Sequence, residues 1–383
     1  MRKFLLPMLL SAVLMLLSVP VSAEPKAVGI PSPSAQSAVL MDARYGLVLY
    51  ERNADQRLPM ASTTKIMTAV TALANAAPDR VICVPAEAVG VEGSSVYLTE
   101  GEELTLEQLL YALLLQSAND AAAAIAIEIG GSISGFAELM NAQAAELGLS
   151  DTQFANPHGL DADGHFTTAR ELAILTCHAL KDPLIRKIVG TGKATIPHGD
   201  VPDARLLVNH NRLLRTYPGA IGVKTGFTKK SGRCLVSAAE RDGVELVAVT
   251  LNAPDDWRDH AAMLDYGFAQ YEPVSLLRTG DAVCSLPVTG GTAETVSVTA
   301  AEDLTLMLPR GHAPIHMTVE APHFLYAPIS IDQTVGEAVC FCDMGGDGTV
   351  REVGRIRLIS AAAVDRKPAE PHGFFAWLSN LFK

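Results

Sequence analysis

No Lys- or Arg-rich block occurs in the 383-residue chain, whose 30 basic and 42 acidic side chains give a formal charge of -12. Affinity for phosphate backbones needs a basic footprint, so nucleic acid is not an expected partner. Cysteine is sparse. The six, at Cys83, Cys177, Cys234, Cys284, Cys340 and Cys342, are too scattered for a disulfide scaffold. They are expected to be buried thiols, with one or two bridges as the alternative. Cys340 and Cys342 would share one strand face but have no second pair at zinc-binding spacing. No H-E-x-x-H occurs, and Pro314 breaks the helix that would let His312 and His316 share an ion. No metal and no cofactor is expected. Beyond the N-terminus, no stretch approaches the ~18 apolar residues of a spanning helix, Ala121 to Ile129 coming nearest. With 49% apolar and 19% charged residues, wholesale disorder is excluded.

What is present begins with a targeting segment. Arg2 and Lys3 precede an apolar run from Phe4 to Val19, and Val21-Ser22-Ala23 supplies small residues before Glu24. Residues 1–23 therefore read as a cleaved signal peptide, an uncleaved anchor being the alternative, and the chain is expected to be exported. A Pro/Ser-rich leader covers 24–37. Strands are expected at Ala38–Asp42 and Leu47–Arg52. Helices are expected at Ser62–Ala74, Thr105–Gln116, Asp120–Ile129 and Ser134–Leu147, and a hairpin at Cys234–Glu240 and Val244–Asn252. Strands at both ends with helices between them predict an α+β unit over 38–270, one antiparallel sheet with a helical insert.

After Pro273 the pattern turns to period two, at Val296/Val298, Leu304/Leu306/Leu308, Ile315/Met317/Val319 and Ile356/Leu358, separated by turns such as Gly345–Gly348. This predicts a small all-β sandwich over 275–363. A polar linker, 364–371, leads to residues 372–383. There Phe374, Trp377, Leu378, Leu381 and Phe382 fall on one helical face. Such a short helix has little reason to order in water. It is expected to lie in a membrane surface, with docking on the β domain as the alternative.

The chemistry resides in three short strings. Ser62-Thr63-Thr64-Lys65 places a hydroxyl and an amine one helical turn apart. The amine can accept the hydroxyl's proton only when neutral, a state favoured by burial and by a second cation nearby. Ser117-Ala118-Asn119 follows at a helix junction, 55 residues after Ser62. Lys224-Thr225-Gly226 comes 107 residues after Ser117, where a lysine and a threonine can hold a carboxylate and glycine lets a substrate strand approach. Each string is weak alone. Their order, S-x-x-K, S-x-N, K-T-G behind a signal peptide, is specific.

In this order the chain resembles the low-molecular-mass penicillin-binding serine D-alanyl-D-alanine carboxypeptidases, which share a fold with class A β-lactamases. The likeness extends to His158-Gly159-Leu160-Asp161 with Gly164, to Asn209-x-Asn211-x-Leu213-Leu214, and to Pro218–Val223 running into Lys224. It implies that Ser62 attacks the carbonyl between the terminal D-alanines of a peptidoglycan stem peptide, with Lys65 as base. Ser117 would relay a proton, Asn119 would position the cluster and contact a substrate amide, and Lys224 and Thr225 would bind the terminal carboxylate beside Gly226. Backbone N–H groups of Ser62 and Phe227 would form the oxyanion hole. β-Lactams would acylate Ser62 as covalent inhibitors. His158 is placed near the cleft as a peripheral residue, with a purely local backbone role as the alternative. Phe227 differs from the polar residue some family members carry. The expected location is the extracytoplasmic face of the membrane or the cell wall.

Three rivals share these motifs, one of them a transpeptidase that passes the same acyl-enzyme to an amine instead of water. A class A-like β-lactamase would need an E-x-x-L-N loop, and no such string lies between Ser117 and Lys224; Glu171 is the nearest candidate carboxylate. A non-catalytic penicillin sensor would need spanning helices.

Overall fold

A strand covered on both faces reads as an unbroken apolar run rather than an alternation. Ser37–Asp42 does so and is buried throughout. It is central to a five-stranded sheet in a computed structural model that describes residues 29–199, 201–343 and 348–368. The expected signal peptide, the 372–383 helix and most of the 345–348 turn lie outside the described residues. The sheet order is Val48–Arg52, Ser37–Asp42, Val244–Leu251, Gly232–Arg241, Ala220–Thr228. All pairs are antiparallel, and the earliest strand closes on the latest, from Ser37 opposite Leu251 to Asp42 opposite Leu246. Asp242 and Gly243, both at positive φ, make the tight hairpin turn. This closure matches the sequence expectation. It also leaves Ala220–Thr228, the strand of Lys224-Thr225-Gly226, with one edge unpaired by the sheet.

The helical insert packs beside that edge. Leu106–Leu115 starts with a full capping box, in which Thr105 and Gln108 satisfy each other's backbone N–H groups. Asn119–Gly130 is so rich in alanine that its neighbours approach closely, and Ala121, Ala122 and Ala124 are wholly buried. Gly131, at φ 72°, ends it. Among the described residues no single helix is long and apolar enough to cross a membrane. Several elements were not anticipated, among them the helices Pro183–Gly190 and Asp256–Gln270 and one hairpin. The hairpin, Lys193–His198 and Val201–Val208, is held by Arg205, whose guanidinium pairs with the Glu102 carboxylate and donates to the carbonyls of Tyr97 (3.0 Å) and Pro197 (2.8 Å).

The second unit is a six-stranded sheet faced by a two-stranded ladder, Tyr271–Leu277 against Leu304–Pro309. Val296, Val298, Leu304, Leu306, Leu308, Ile356 and Leu358 meet in its core, as their alternation predicts. Ile315 packs half-buried against that core, whereas Met317 and Val319 behave differently. His316–Glu320 is an edge strand exposed at every position, so its pattern marks the pleat and not a core. All six cysteines are free; four are buried as expected, whereas Cys83 is exposed and Cys284 half-buried. The two units meet at Tyr45, whose phenol accepts from the Thr305 N–H (2.9 Å).

Candidate active site

Ala61–Thr64 is a 3-10 turn, and the α-helix Lys65–Asn75 begins only at the lysine. The sequence expectation of one helix from Ser62 is thus corrected at its first turn. The difference matters, because residues three apart eclipse in a 3-10 turn. Lys65 Nζ stands 3.0 Å from Ser62 Oγ. The amine is wholly buried and also reaches Asn119 Oδ1 (2.7 Å) and the His158 carbonyl (2.5 Å). A neutral amine has two N–H bonds and one lone pair. With Asn119 and His158 accepting the two N–H bonds, the lone pair is left for the Ser62 hydroxyl. Burial holds the lysine well below its ordinary pKa; the nearby Lys224 ammonium adds to this and Asp120 opposes it.

Asn119 is the first residue of its helix. Its Nδ2 donates to the Glu92 carbonyl (2.5 Å) and its N–H to that of Ser94 (2.7 Å). The buried Asp120 carboxylate accepts from Ser95 Oγ (2.5 Å) and from the N–H groups of Val96 and Leu98, fastening the 92–98 loop over the helix start. Ser117 is buried in the interhelix turn at φ 62°.

Across from this corner, loop 154–167 supplies the carbonyl that holds Lys65. Asn156 shapes it, accepting from Gly159 N–H (2.7 Å) and donating to Leu160 O (2.9 Å). Gly159, at φ 89°, lies against Ala61: a Cβ there would stand 2.0 Å from the Ala61 carbonyl oxygen. His165 joins loop to helix. Its Nδ1 accepts from Ala155 N–H (3.0 Å) and its Nε2 lies 2.8 Å from Thr64 Oγ1, whose own proton goes to Ala61 O (2.8 Å). Nε2 must therefore be the donor, which makes the ring neutral, and burial holds its pKa down at about 4. The His158 ring accepts from Leu160 N–H (3.3 Å), a local role, while its carbonyl holds Lys65. Sequence reasoning missed His165, Asn156 and Asp120. The quoted string starting at His158 was the available pointer to the loop.

The third side is Ala220–Thr228. Lys224 is buried, donates to the Thr225 carbonyl (2.8 Å), and is lowered by burial to about 7. Gly226 lies so close to the nucleophile turn that a Cβ would stand 3.0 Å from Ser62 N and 3.2 Å from Met60 O. Half-buried Thr225 precedes it, and Phe227, 66% exposed, follows opposite Arg233. Thr228 Oγ1 donates to Asp161 Oδ1 (2.9 Å), closing the ring from strand to loop. Direct contacts thus join Ser62, Lys65, Asn119 and His158, Gly226 abuts them, and Ser117, Thr225 and Phe227 flank them along the chain.

Residues 24–255 match the D-alanyl-D-alanine carboxypeptidase family, peptidase S11, and residues 271–365 match the penicillin-binding protein 5 C-terminal domain. The chain is 33% identical to the D-alanyl-D-alanine carboxypeptidase DacF of Bacillus subtilis over 316 residues, covering 80% of this chain and 81% of that one. It is 32% identical to DacC of Escherichia coli over 357 residues, 85% and 84% of the two chains. Penicillin binding protein 5 from Haemophilus influenzae superposes with a TM-score of 0.75 at 28% identity, over 88% of this chain and 100% of that one. The chain belongs to the peptidase S11 family, and is a serine-type D-alanyl-D-alanine carboxypeptidase of the low-molecular-mass penicillin-binding proteins, its catalytic domain followed by a β-rich domain.

Proposed function

We propose that Ser62 is the nucleophile of this carboxypeptidase and Lys65 its base. The observation that carries the assignment is the buried amine 3.0 Å from Ser62 Oγ, with its N–H bonds directed at Asn119 and His158. Ser62 Oγ attacks the carbonyl between the last two D-alanines of a stem peptide as its proton passes to Lys65 Nζ. The N–H groups of Ser62 and Phe227 receive the oxyanion. Ser117 relays the proton to the leaving D-alanine nitrogen, and water then hydrolyses the ester, restoring Ser62. Asn119 holds Lys65 and contacts a substrate amide. Lys224 and Thr225 bind the terminal carboxylate, and Gly226 leaves room for the peptide along the free strand edge. β-Lactams acylate Ser62 by the same route.

The β-lactamase alternative is disfavoured by the setting of Glu171. Its carboxylate accepts from Asp151 N–H (2.9 Å) and Thr152 Oγ1 (2.5 Å), a structural use that engages both oxygens. The remaining assignments follow from sequence. Residues 1–23 direct export, 38–270 carry catalysis, and 275–363 form the β domain, either a pedestal under the cleft or a protein-binding surface. Residues 364–371 link it to 372–383, which anchor the enzyme at the extracytoplasmic membrane face. Within that linker, Val364 pairs with Ile329 and Arg366 with Gly291, so its first residues run along the β unit.

The carboxylate assignment is tested with two peptides identical except that one ends in D-alanine and the other in D-alaninamide. Losing a charge-assisted contact to a buried cation is expected to lower kcat/KM for the amide about 100-fold. Equal rates would contradict the roles given to Lys224 and Thr225.

A further inference from the structure

The chain leaves the β unit at one end, and that end carries an aromatic surface for which peptide hydrolysis has no use. Strand Ala282–Thr289 runs to that end. Its start adjoins the catalytic domain: Thr279 donates to the Asp303 carboxylate (2.8 Å), and the Asp303 carbonyl accepts from Tyr45 (3.4 Å). Its finish lies about 23 Å away, at ~3.3 Å per strand residue. There the last described residues are pinned, Lys367 N–H to Gly290 O (2.9 Å) and Arg366 Nε to Ala327 O (3.0 Å). Leu325 and Tyr326 pair with Val288 and Thr289 at the same place.

Along 324–328 the pleat sorts the side chains. Leu325 and Ala327 turn inward, whereas Phe324 (45% exposed), Tyr326 (70%) and Pro328 face out. The two rings meet edge to face, 5.1 Å apart. Tyrosine and phenylalanine together suit the boundary between headgroups and acyl chains. The tether selects the partner. From Lys367 to His372 the chain can reach at most about 18 Å. A segment 372–383 seated in a bilayer by its Phe, Trp and Leu face therefore holds this tip at the same bilayer.

We propose that Phe324 and Tyr326 form a second bilayer contact beside the C-terminal segment. The inference rests on the anchor reading of 372–383. Asp365 offsets one of Arg366 and Lys367 at the tip, so apolar burial carries most of the contact and salt has a small influence on it. One short amphipathic segment binds a membrane reversibly; a second, linked contact raises retention by effective concentration. It also fixes the orientation of the β unit on the surface.

The test uses the mature chain, residues 24–383, and vesicles of phosphatidylethanolamine and phosphatidylglycerol, with partition read by sedimentation. The double variant Phe324→Ser, Tyr326→Ser is expected to lower the partition coefficient about 10-fold. Its D-alanine release from a soluble peptide and its thermal midpoint should stay at wild-type values. Tyr326→Ser alone, at the more exposed of the two, is expected to lower partition about threefold. Deleting 372–383 should lower partition in wild type and further in the double variant. Wild-type partition by the double variant, with release on deletion, would overturn the second contact and leave the anchor reading standing. Loss in the double variant with none on deletion would instead support the patch and remove the anchor. No effect of either change would overturn both.

Discussion

Lys65→Arg is expected to reduce kcat/KM for D-alanine release about 10³- to 10⁴-fold, and acylation by a β-lactam by a similar factor. Arginine keeps the positive charge and can still donate to Asn119 Oδ1 and His158 O, so the corner remains bridged. It cannot present a lone pair, because a guanidinium does not deprotonate in this setting. The wild-type lysine is held well below its ordinary pKa by burial and by Lys224. The sign follows from the base role. The active form is the deprotonated amine, so kcat/KM rises as pH rises through the Lys65 pKa and is level above it, with the rise displaced below the ordinary lysine range. Single-turnover acylation across pH, for wild type and the variant, reads both effects. An arginine enzyme within tenfold of wild type would remove Lys65 from the base role.

Gly159→Ala is expected to reduce turnover about 100- to 1000-fold, although Gly159 touches no substrate. Its φ of 89° already disfavours a side chain, and the added carbon would stand 2.0 Å from Ala61 O and 2.9 Å from Ser62 N. Backbone lies on both sides, so something must move. Displacing the loop takes the His158 carbonyl away from Lys65; displacing the turn takes Ser62 away from Gly226. Either movement misplaces the nucleophile against the oxyanion donors. Gly148→Ala is the matched control, at φ 72° with nothing within 4 Å of the added carbon. Both variants should lose about 1 kcal/mol of stability or more from backbone strain, and only Gly159→Ala should lose activity. Thermal denaturation beside kcat separates the two effects, and an active Gly159→Ala would contradict the packing account.

The three strings were legible because spacing alone carries them. Ser62 and Lys65 fall side by side whether their turn is α or 3-10, so the pair was visible before its exact winding. The closing of the first strand on Val244–Leu251 was legible too, from the change of period at the two ends of the insert. The supporting residues were not. His165 acts through Thr64, about a hundred positions earlier, and Asp120 fastens the 92–98 loop; neither contact has a local pattern. The hairpin of Arg205 depends on Glu102, a pairing across 103 positions. At Met317 and Val319 the period was right but its meaning differed, since an edge strand alternates whether or not anything covers it.

The central claim is that a single hydroxyl, at Ser62, forms the covalent link to substrate and inhibitor alike. Labelling the enzyme with a fluorescent penicillin, digesting it and mapping the label tests this most directly. The label is expected on the peptide containing Ser62, with none taken up by Ser62→Ala and no D-alanine released by that variant. A label on another residue, or undiminished release by Ser62→Ala, would contradict the account.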